Sequence, residues 1–307
     1  MGLALSSSWN AFRHTSGCEL LFEIEKAGFN EVELSFNLTA SMVTDIEGLL
    51  KSAKFKIVSL HNYCPAPEDF PRDEALPDCY SLSSPDSQER SFALKYTKRT
   101  IDTADILGAR AVILHCGRVE VPDRTRELID LCDKGLKGST DFEEVKSRAI
   151  EEREDLSERF LEHALRSLDE LNRYAQSKGI SLGVETRFYY REIPSFQEIG
   201  TILDTFKGSN IFYWHDAGHA AIMDYIGLAR QQDFLDAYAK EMIGIHLHDV
   251  LNGQDHMAPG KGKLDFNRFT PYLKKETIKV IEAHHPATAI DLAQSKEFLG
   301  RVFHGVI

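Results

Sequence analysis

Basic residues are in short supply in this chain. Its 36 lysines and arginines stand against 48 aspartates and glutamates, a formal charge of −12. That balance argues against a broad affinity for nucleic acid or for an anionic membrane, because the excess charge repels polyanions. Cysteine is sparse as well. Cys18, Cys64, Cys79, Cys116 and Cys132 are odd in number and include no Cys-x-x-Cys pair, so reduced thiols and a cytoplasmic setting are expected. No apolar run is long enough to span a bilayer. The residues after Met1, GLALSSS, have neither the basic nor the apolar part of a secretory signal. Internal repeats, low-complexity tracts and linkers are also missing from the sequence. The remaining composition, 42% hydrophobic and 27% charged over 307 residues, is that of a globular protein able to bury a core without disulfide staples.

Within that composition, short apolar runs rich in β-branched residues alternate with stretches of helical period. The runs cover 3–5, 31–36, 56–61, 111–115, 180–185, 211–214, 242–247 and 278–282. Helices are expected after Ser16-Gly17 (carrying Leu20, Leu21, Ile24 and Ala27), over 41–54, 87–107 and 156–178, from Pro194-Ser195, and over 289–303. Gly28, Gly108 and Gly179 stop three of them. Eight buried strands alternating with helices predict an α/β fold, a single-domain (β/α)₈ barrel over 1–307 with right-handed crossovers. Two stretches exceed what a minimal barrel needs. One is a loop from Asn62 to Gln88, and the other is a charged insertion over 118–155, helical in two pieces and too polar for a core element. A flap over the barrel mouth and a partner surface are both open readings of the insertion.

Six of the eight runs end in a side chain that can bind a metal: His61, His115, Glu185, Asp216, His246 and Glu282. A barrel brings its strand ends together at one mouth, so residues far apart in sequence are expected to meet there. More polar groups follow closely. His219 stands three residues after Asp216, His248 and Asp249 follow His246, and His256 precedes Gly260-Lys261-Gly262. Trp214 shares the face of Asp216 and is expected to wall the pocket or, as an aromatic within a strand, to fill the core, and Arg187 to meet an anionic group or stand exposed on its loop. His248 is expected to turn away from the barrel axis and pack against helices, with Asp249 turning back at the loop. His284 and His285 are expected at the rim. Gly260-Lys261-Gly262 reads as a backbone cradle for a phosphate or as a tight loop.

These pieces carry a resemblance that covers nearly the whole chain apart from the insertion. Ser83-Ser84-Pro85-Asp86, Leu107-Gly108-Ala109 with Val112-Ile113-Leu114-His115, Gly183-Val184-Glu185, Asp216-Ala217-Gly218-His219, His246-Leu247-His248-Asp249, Gly260-Lys261-Gly262 with Asp265-Phe266, and Ile281-Glu282 resemble the xylose isomerase-like TIM barrels. That superfamily includes sugar isomerases and epimerases, inosose dehydratase and the AP endonucleases of the endonuclease IV type. The resemblance implies a metal quartet of Glu185, Asp216, His246 and Glu282. His61, His115, His219 and His256 are candidate further ligands, and His61, His115 and His219 are also candidates to bind substrate. Three carboxylates and one imidazole suit Mn²⁺, with Mg²⁺ and Co²⁺ as alternatives, and added histidines favour Zn²⁺. The endonuclease branch has an Asp two residues before its last histidine, where this chain has Gln254, with Asp255 adjacent but out of register.

The expected activity is a metal-dependent sugar or polyol isomerase or epimerase. Glu185 and Glu282 would move protons through an enediolate, His219 would hold a hydroxyl, and the long loop and insertion would exclude water. The alternative is a zinc phosphodiesterase of the endonuclease IV type. A ligand-binding barrel without turnover is the reading that intact Glu185 and Glu282 oppose. The expected partner is a small sugar or sugar phosphate, with nucleic acid and membrane disfavoured and homo-oligomer formation left open.

Overall fold

A computed structural model describes residues 2–52 and 55–307 of the chain. All eight expected strands form. They are β1 (Leu3–Ser6), β2 (Glu31–Leu34), β3 (Lys56–His61), β4 (Ala111–Leu114), β5 (Ser181–Glu185), β6 (Ile211–Asp216) and β7 (Met242–Leu247). After a small hairpin of β8 (Asp249–Leu251) and β9 (Gln254–Met257) comes β10 (Ile278–Ile281). Every neighbouring pair in the ring β1-β10-β7-β6-β5-β4-β3-β2 is parallel, and the ring is closed. The molecule is therefore a single TIM barrel, as the alternating pattern predicts.

Outside the barrel run α1 (Gly17–Lys26), α2 (Ala40–Leu50), α3 (Ser87–Leu107), α4 (Thr125–Asp133), α5 (Thr140–Lys178), α6 (Phe196–Thr205), α7 (Ala217–Tyr225), α8 (Gln231–Tyr238) and α9 (Ala289–Val302). The helix expected over 41–54 corresponds to α2, and residues 53 and 54 lie outside the described residues. The Asp86 side chain caps α3 on the Gln88 amide, and Ser195 and Glu198 form a capping box on α6. Gly108 and Gly179 end α3 and α5 in left-handed backbone, at φ 69° and 68°, which a β-carbon would disfavour.

Two elements differ from expectation. The second helical piece of the insertion and the helix expected over 156–178 are one helix, α5, of 39 residues. No glycine or proline interrupts 140–178, so nothing in the chain stops the helix between its Ser139 cap and Gly179. The insertion also builds core despite its polarity. Leu128, Ile129, Cys132, Phe142 and Val145 pack with Phe188, Ile222, Met223, Ile226 and Val250 in a satellite cluster against α7 and the loop after β5. The other difference is the crossover from β7 to β10, which uses the hairpin and a 3₁₀ segment, Phe266–Tyr272, instead of an α-helix.

The barrel interior sets the floor of the site. Ala4, Val58, Ala111, Ile113, Trp214, Ile278 and Val280 fill it. Gly183 and Gly244 are the clearance for the Trp214 indole, since a β-carbon there would lie 2.9 Å and 2.1 Å from ring atoms. On a strand, side chains two apart share a face. Glu185 and His246 therefore stand one step above those glycines and project over the indole.

Candidate metal centre

The strand ends deliver the expected side chains to one place. Donor atoms of Glu185, Asp216, His246 and Glu282 all lie within 4.8 Å of one another, on four buried residues. His246 Nδ1 is 2.6 Å from Glu185 Oε1, 3.0 Å from Glu282 Oε2 and 3.6 Å from Asp216 Oδ2. One imidazole nitrogen offers a single proton or a single lone pair, so it cannot satisfy three carboxylates. Ligands around an ion at about 2.0–2.2 Å sit roughly 3–4 Å apart, so this donor set fits a divalent cation with small side-chain adjustments.

The other face of His246 is occupied by Glu33, a residue outside the set expected from the strand ends. His246 Nε2 lies 3.0 Å from Glu33 Oε1, and Ser59 Oγ donates to Glu33 Oε2 at 2.7 Å. A carboxylate on the far nitrogen fixes the tautomer that leaves Nδ1 free to ligate. A signal was available, because Glu31, Glu33 and Ser35 make one face polar on a strand that a barrel buries on both sides.

Glu185 is the hub. Its Oε1 faces His246, while Oε2 accepts from Arg187 Nη1 at 2.6 Å and lies 2.9 Å from His115 Nε2 and 3.7 Å from His61 Nε2. Burial alone would raise its carboxyl, but hydrogen bonds from His115, His246 and His61 outweigh that and hold it well below the usual range. Burial opposes charge on His246 too, yet Glu282 and Glu33 push that imidazole well above its ordinary value. Glu282 is lowered, with burial again outweighed by His246. His115 is raised to about 9, because Asp78, 3.1 Å from its Nδ1, outweighs both burial and Arg187. Asp78 comes from the long 62–88 loop, which thereby reaches the site.

His219 behaves differently. Burial lowers it to about 4, against the pull of Asp216. Its Nδ1–H donates to the Thr186 carbonyl at 2.9 Å, which leaves Nε2 as an acceptor facing the mouth.

Several neighbours lie elsewhere than their sequence suggested. His248 packs against α7 as expected, where a β-carbon at Gly218 would lie 2.0 Å from its ring, but it also turns toward the site. Residues two apart on an extended strand point the same way, so His248 follows His246, donating from Nε2 to Asp216 Oδ1 at 2.9 Å. His284 is half-buried and stacks on His256 at 3.9 Å, while His285 is exposed at the rim. Trp214 lies in the floor, and its ring meets His246 edge-on at 5.1 Å. Asp255, adjacent to His256, reaches the mouth with it. Its Oδ2 is 2.9 Å from His256 Nδ1 and 3.8 Å from His219 Nε2. His256 adopts φ 53°, a local break in the extended backbone that upsets counting by twos. The Gly260-Lys261-Gly262 segment is a tight loop anchored on Asp249. Asp249 accepts from the Gly260 and Leu264 amides, each at 2.9 Å, and a β-carbon at 262 would meet its Oδ1 at 2.4 Å.

Above the centre lies a cavity of about 300 Å³ whose walls include His61, His115, Glu185, His219, His256 and Glu282. The insertion contributes Arg126 to its rim.

A family model described as xylose isomerase-like TIM barrel matches residues 21–300. The chain belongs to that family. Solved structures agree on the fold at low identity. A D-tagatose 3-epimerase-like protein superposes at TM-score 0.68 with 18% identity, covering 100% of this chain and 98% of its own. D-allulose 3-epimerase from Methylomonas sp., solved with D-allulose, gives 0.67 and 16%, covering 98% and 96%. An IOLI protein with a bound zinc atom gives 0.67 and 14%, covering 100% and 99%. No curated protein sequence matches the chain. Among the described residues, no helix is long and apolar enough to cross a membrane.

Proposed function

We propose that the protein is a divalent-metal-dependent isomerase or epimerase of a sugar or polyol, with Glu185, Asp216, His246 and Glu282 as the metal ligands. The observation that carries this reading is the pair Glu185 and Glu282, both within hydrogen-bond reach of His246 Nδ1, at 2.6 and 3.0 Å, and both lining the cavity. A divalent cation such as Mn²⁺ or Zn²⁺, held by these four residues, would supply polarisation of a substrate carbonyl and so acidify the neighbouring C–H. Glu282 Oε2 faces His246, and Glu282 is the less encumbered of the two carboxylates, so it is the better proton acceptor. Glu185 is held ionised by Arg187 and His115 at Oε2, so the returned proton comes from the His115 imidazolium that Glu185 positions. His219 Nε2 accepts a substrate hydroxyl, and His61 contacts the sugar beside it. Structural likeness to sugar 3-epimerases supports this choice over other reactions of the family.

The test is wash-in of deuterium from D₂O at the substrate carbon in a ketose screen. Wild type incorporates it, and Glu282→Gln, assayed at saturating metal because Glu282 is also a ligand, loses it by about 10²–10⁴-fold. Full exchange in the variant would remove Glu282 from proton transfer. One observation favours a second reading, an endonuclease IV-like zinc phosphodiesterase: His61, His115 and Glu185 form a donor group next to the quartet, and His219, His248 and His256 form another. Metal counting separates the two. One tightly held ion per chain supports the isomerase, and three zinc ions support the phosphodiesterase.

A further inference from the structure

The mouth of the cavity holds a cation that the proposed proton chemistry leaves unused. Arg126, on α4 of the insertion, lines the cavity with its guanidinium carbon 4.5 Å from the Phe188 ring centroid and 5.4 Å from that of Tyr189. It donates to the Tyr189 hydroxyl at 3.1 Å and makes no ion pair among the described residues. The other cations nearby are committed. Arg187 binds Glu185 and Glu192, Arg124 binds Glu152, and Lys261 binds Asp291 and Gln294. The amides of the Gly260 loop are turned inward to Asp249 and Ala258. Arg126 itself is exposed, but the helix that carries it is fixed, because Ile129 one turn on packs so closely on Gly253 of the β8–β9 hairpin that a β-carbon there would lie 1.9 Å away. The Phe188 ring also meets His219 edge-on at 5.8 Å, so one aromatic ring separates the guanidinium from the imidazole. Those two contacts place the guanidinium no more than about 10 Å from the imidazole, a gap that an extended pentose or hexose bearing a terminal anion can bridge with a hydrogen bond at each end.

Resting on the isomerase reading, we propose that the substrate is an anionic sugar, whose terminal phosphate or carboxylate is gripped by Arg126 while its carbonyl end lies over the metal centre. The arginine fork matches both anions, and a chain of formal charge −12 needs a local cation to accept either. The experiment is calorimetric titration of the metal-loaded protein with a ketose phosphate, the matching neutral ketose, a uronate and inorganic phosphate. Wild type is expected to prefer an anionic sugar over the neutral one. Arg126→Gln should weaken only the anionic probes, by about 10- to 100-fold, and Arg126→Lys should restore part of the loss. Preference for the phosphate or for the uronate identifies the anion. Equal affinity for neutral and anionic sugars, or an undiminished preference in Arg126→Gln, overturns the proposal. If inorganic phosphate binds through Arg126 while no sugar of either kind binds, the isomerase reading fails and the anion site stands.

Discussion

The side chains that matter most at the residue scale are those that aim others. Glu33 touches His246 and Ser59 but lines no part of the cavity. Carboxylates of this kind orient a metal-binding imidazole, and their loss costs about 10- to 100-fold in metal affinity. Glu33→Gln is therefore expected to weaken Mn²⁺ or Zn²⁺ binding by that factor, read by metal titration, with secondary structure unchanged by circular dichroism. Lys279, also in the barrel wall, has a pH consequence. It is almost fully buried on β10, donates to the Lys274 and Thr277 carbonyls at 2.9 and 3.0 Å, and burial lowers it to about 8. An unfolded lysine titrates near 10.4. Between about pH 8 and that value the unfolded chain holds more protons than the folded one, so stability rises with pH in that window. Melting curves from pH 7 to 10 should show wild type gaining on Lys279→Met as pH rises. Parallel curves would mean that the ammonium is not desolvated. Neither residue lacked a trace in the sequence, since both are charged groups inside apolar runs. What the sequence could not supply was the partner that each one meets.

At the scale of elements, the insertion is the informative case. Its polarity read as too great for a core element, yet α4 and α5 bury Leu128, Ile129, Phe142 and Val145, and α5 sends Arg153 beneath the loop after β5. Arg153 donates to the Tyr190 and Glu192 carbonyls and pairs with Glu198 at 2.6 Å, with both side chains nearly inaccessible. Removing one member of a buried pair leaves the other uncompensated, at about 3–5 kcal/mol. Arg153→Met should lower urea stability by about that amount, and adding Glu198→Gln should recover part of it. Additive losses in the double variant would show that the pair is not coupled. The polar sequence hid this because a long helix needs only a narrow apolar stripe, and Arg153 sits on that stripe as a residue that composition counts as surface. The β8–β9 hairpin was legible in Asn252-Gly253, a two-residue turn signal between β8 and β9. The crossover from β7 lost its helix because glycines and prolines at 259, 260, 262 and 271 break helical runs.

For the whole molecule, the centre gathers carboxylates from four strands around one axis. Glu33, Glu185, Asp216 and Glu282 are all buried, and without a cation their compensation rests on the Arg187 guanidinium and on imidazoles such as His246. A ligand that binds only the folded barrel stabilises it by RT ln(1 + [L]/Kd), about 2.7 kcal/mol at one hundred times Kd. Chelation should therefore lower the melting temperature by several degrees, and Mn²⁺ or Zn²⁺ should restore it, whereas Glu185→Gln or Asp216→Asn should blunt the response. An unchanged melting temperature after verified metal removal would count against the quartet as the binding site.

The sequence by itself determined the barrel and the family. The period of its apolar runs and the acidic or imidazole residue closing six of them are local facts, and a closed parallel sheet converts such strand ends into one mouth. Only the tertiary structure decided the partners. Glu33 on His246, Asp78 on His115, His248 on Asp216 and Arg126 over Phe188 each join positions on different elements, and no spacing along the chain encodes those meetings. Side-chain direction follows from strand alternation until a bulge or a left-handed residue such as His256 resets it. Beyond that point, packing against neighbouring elements settles which groups face the cavity.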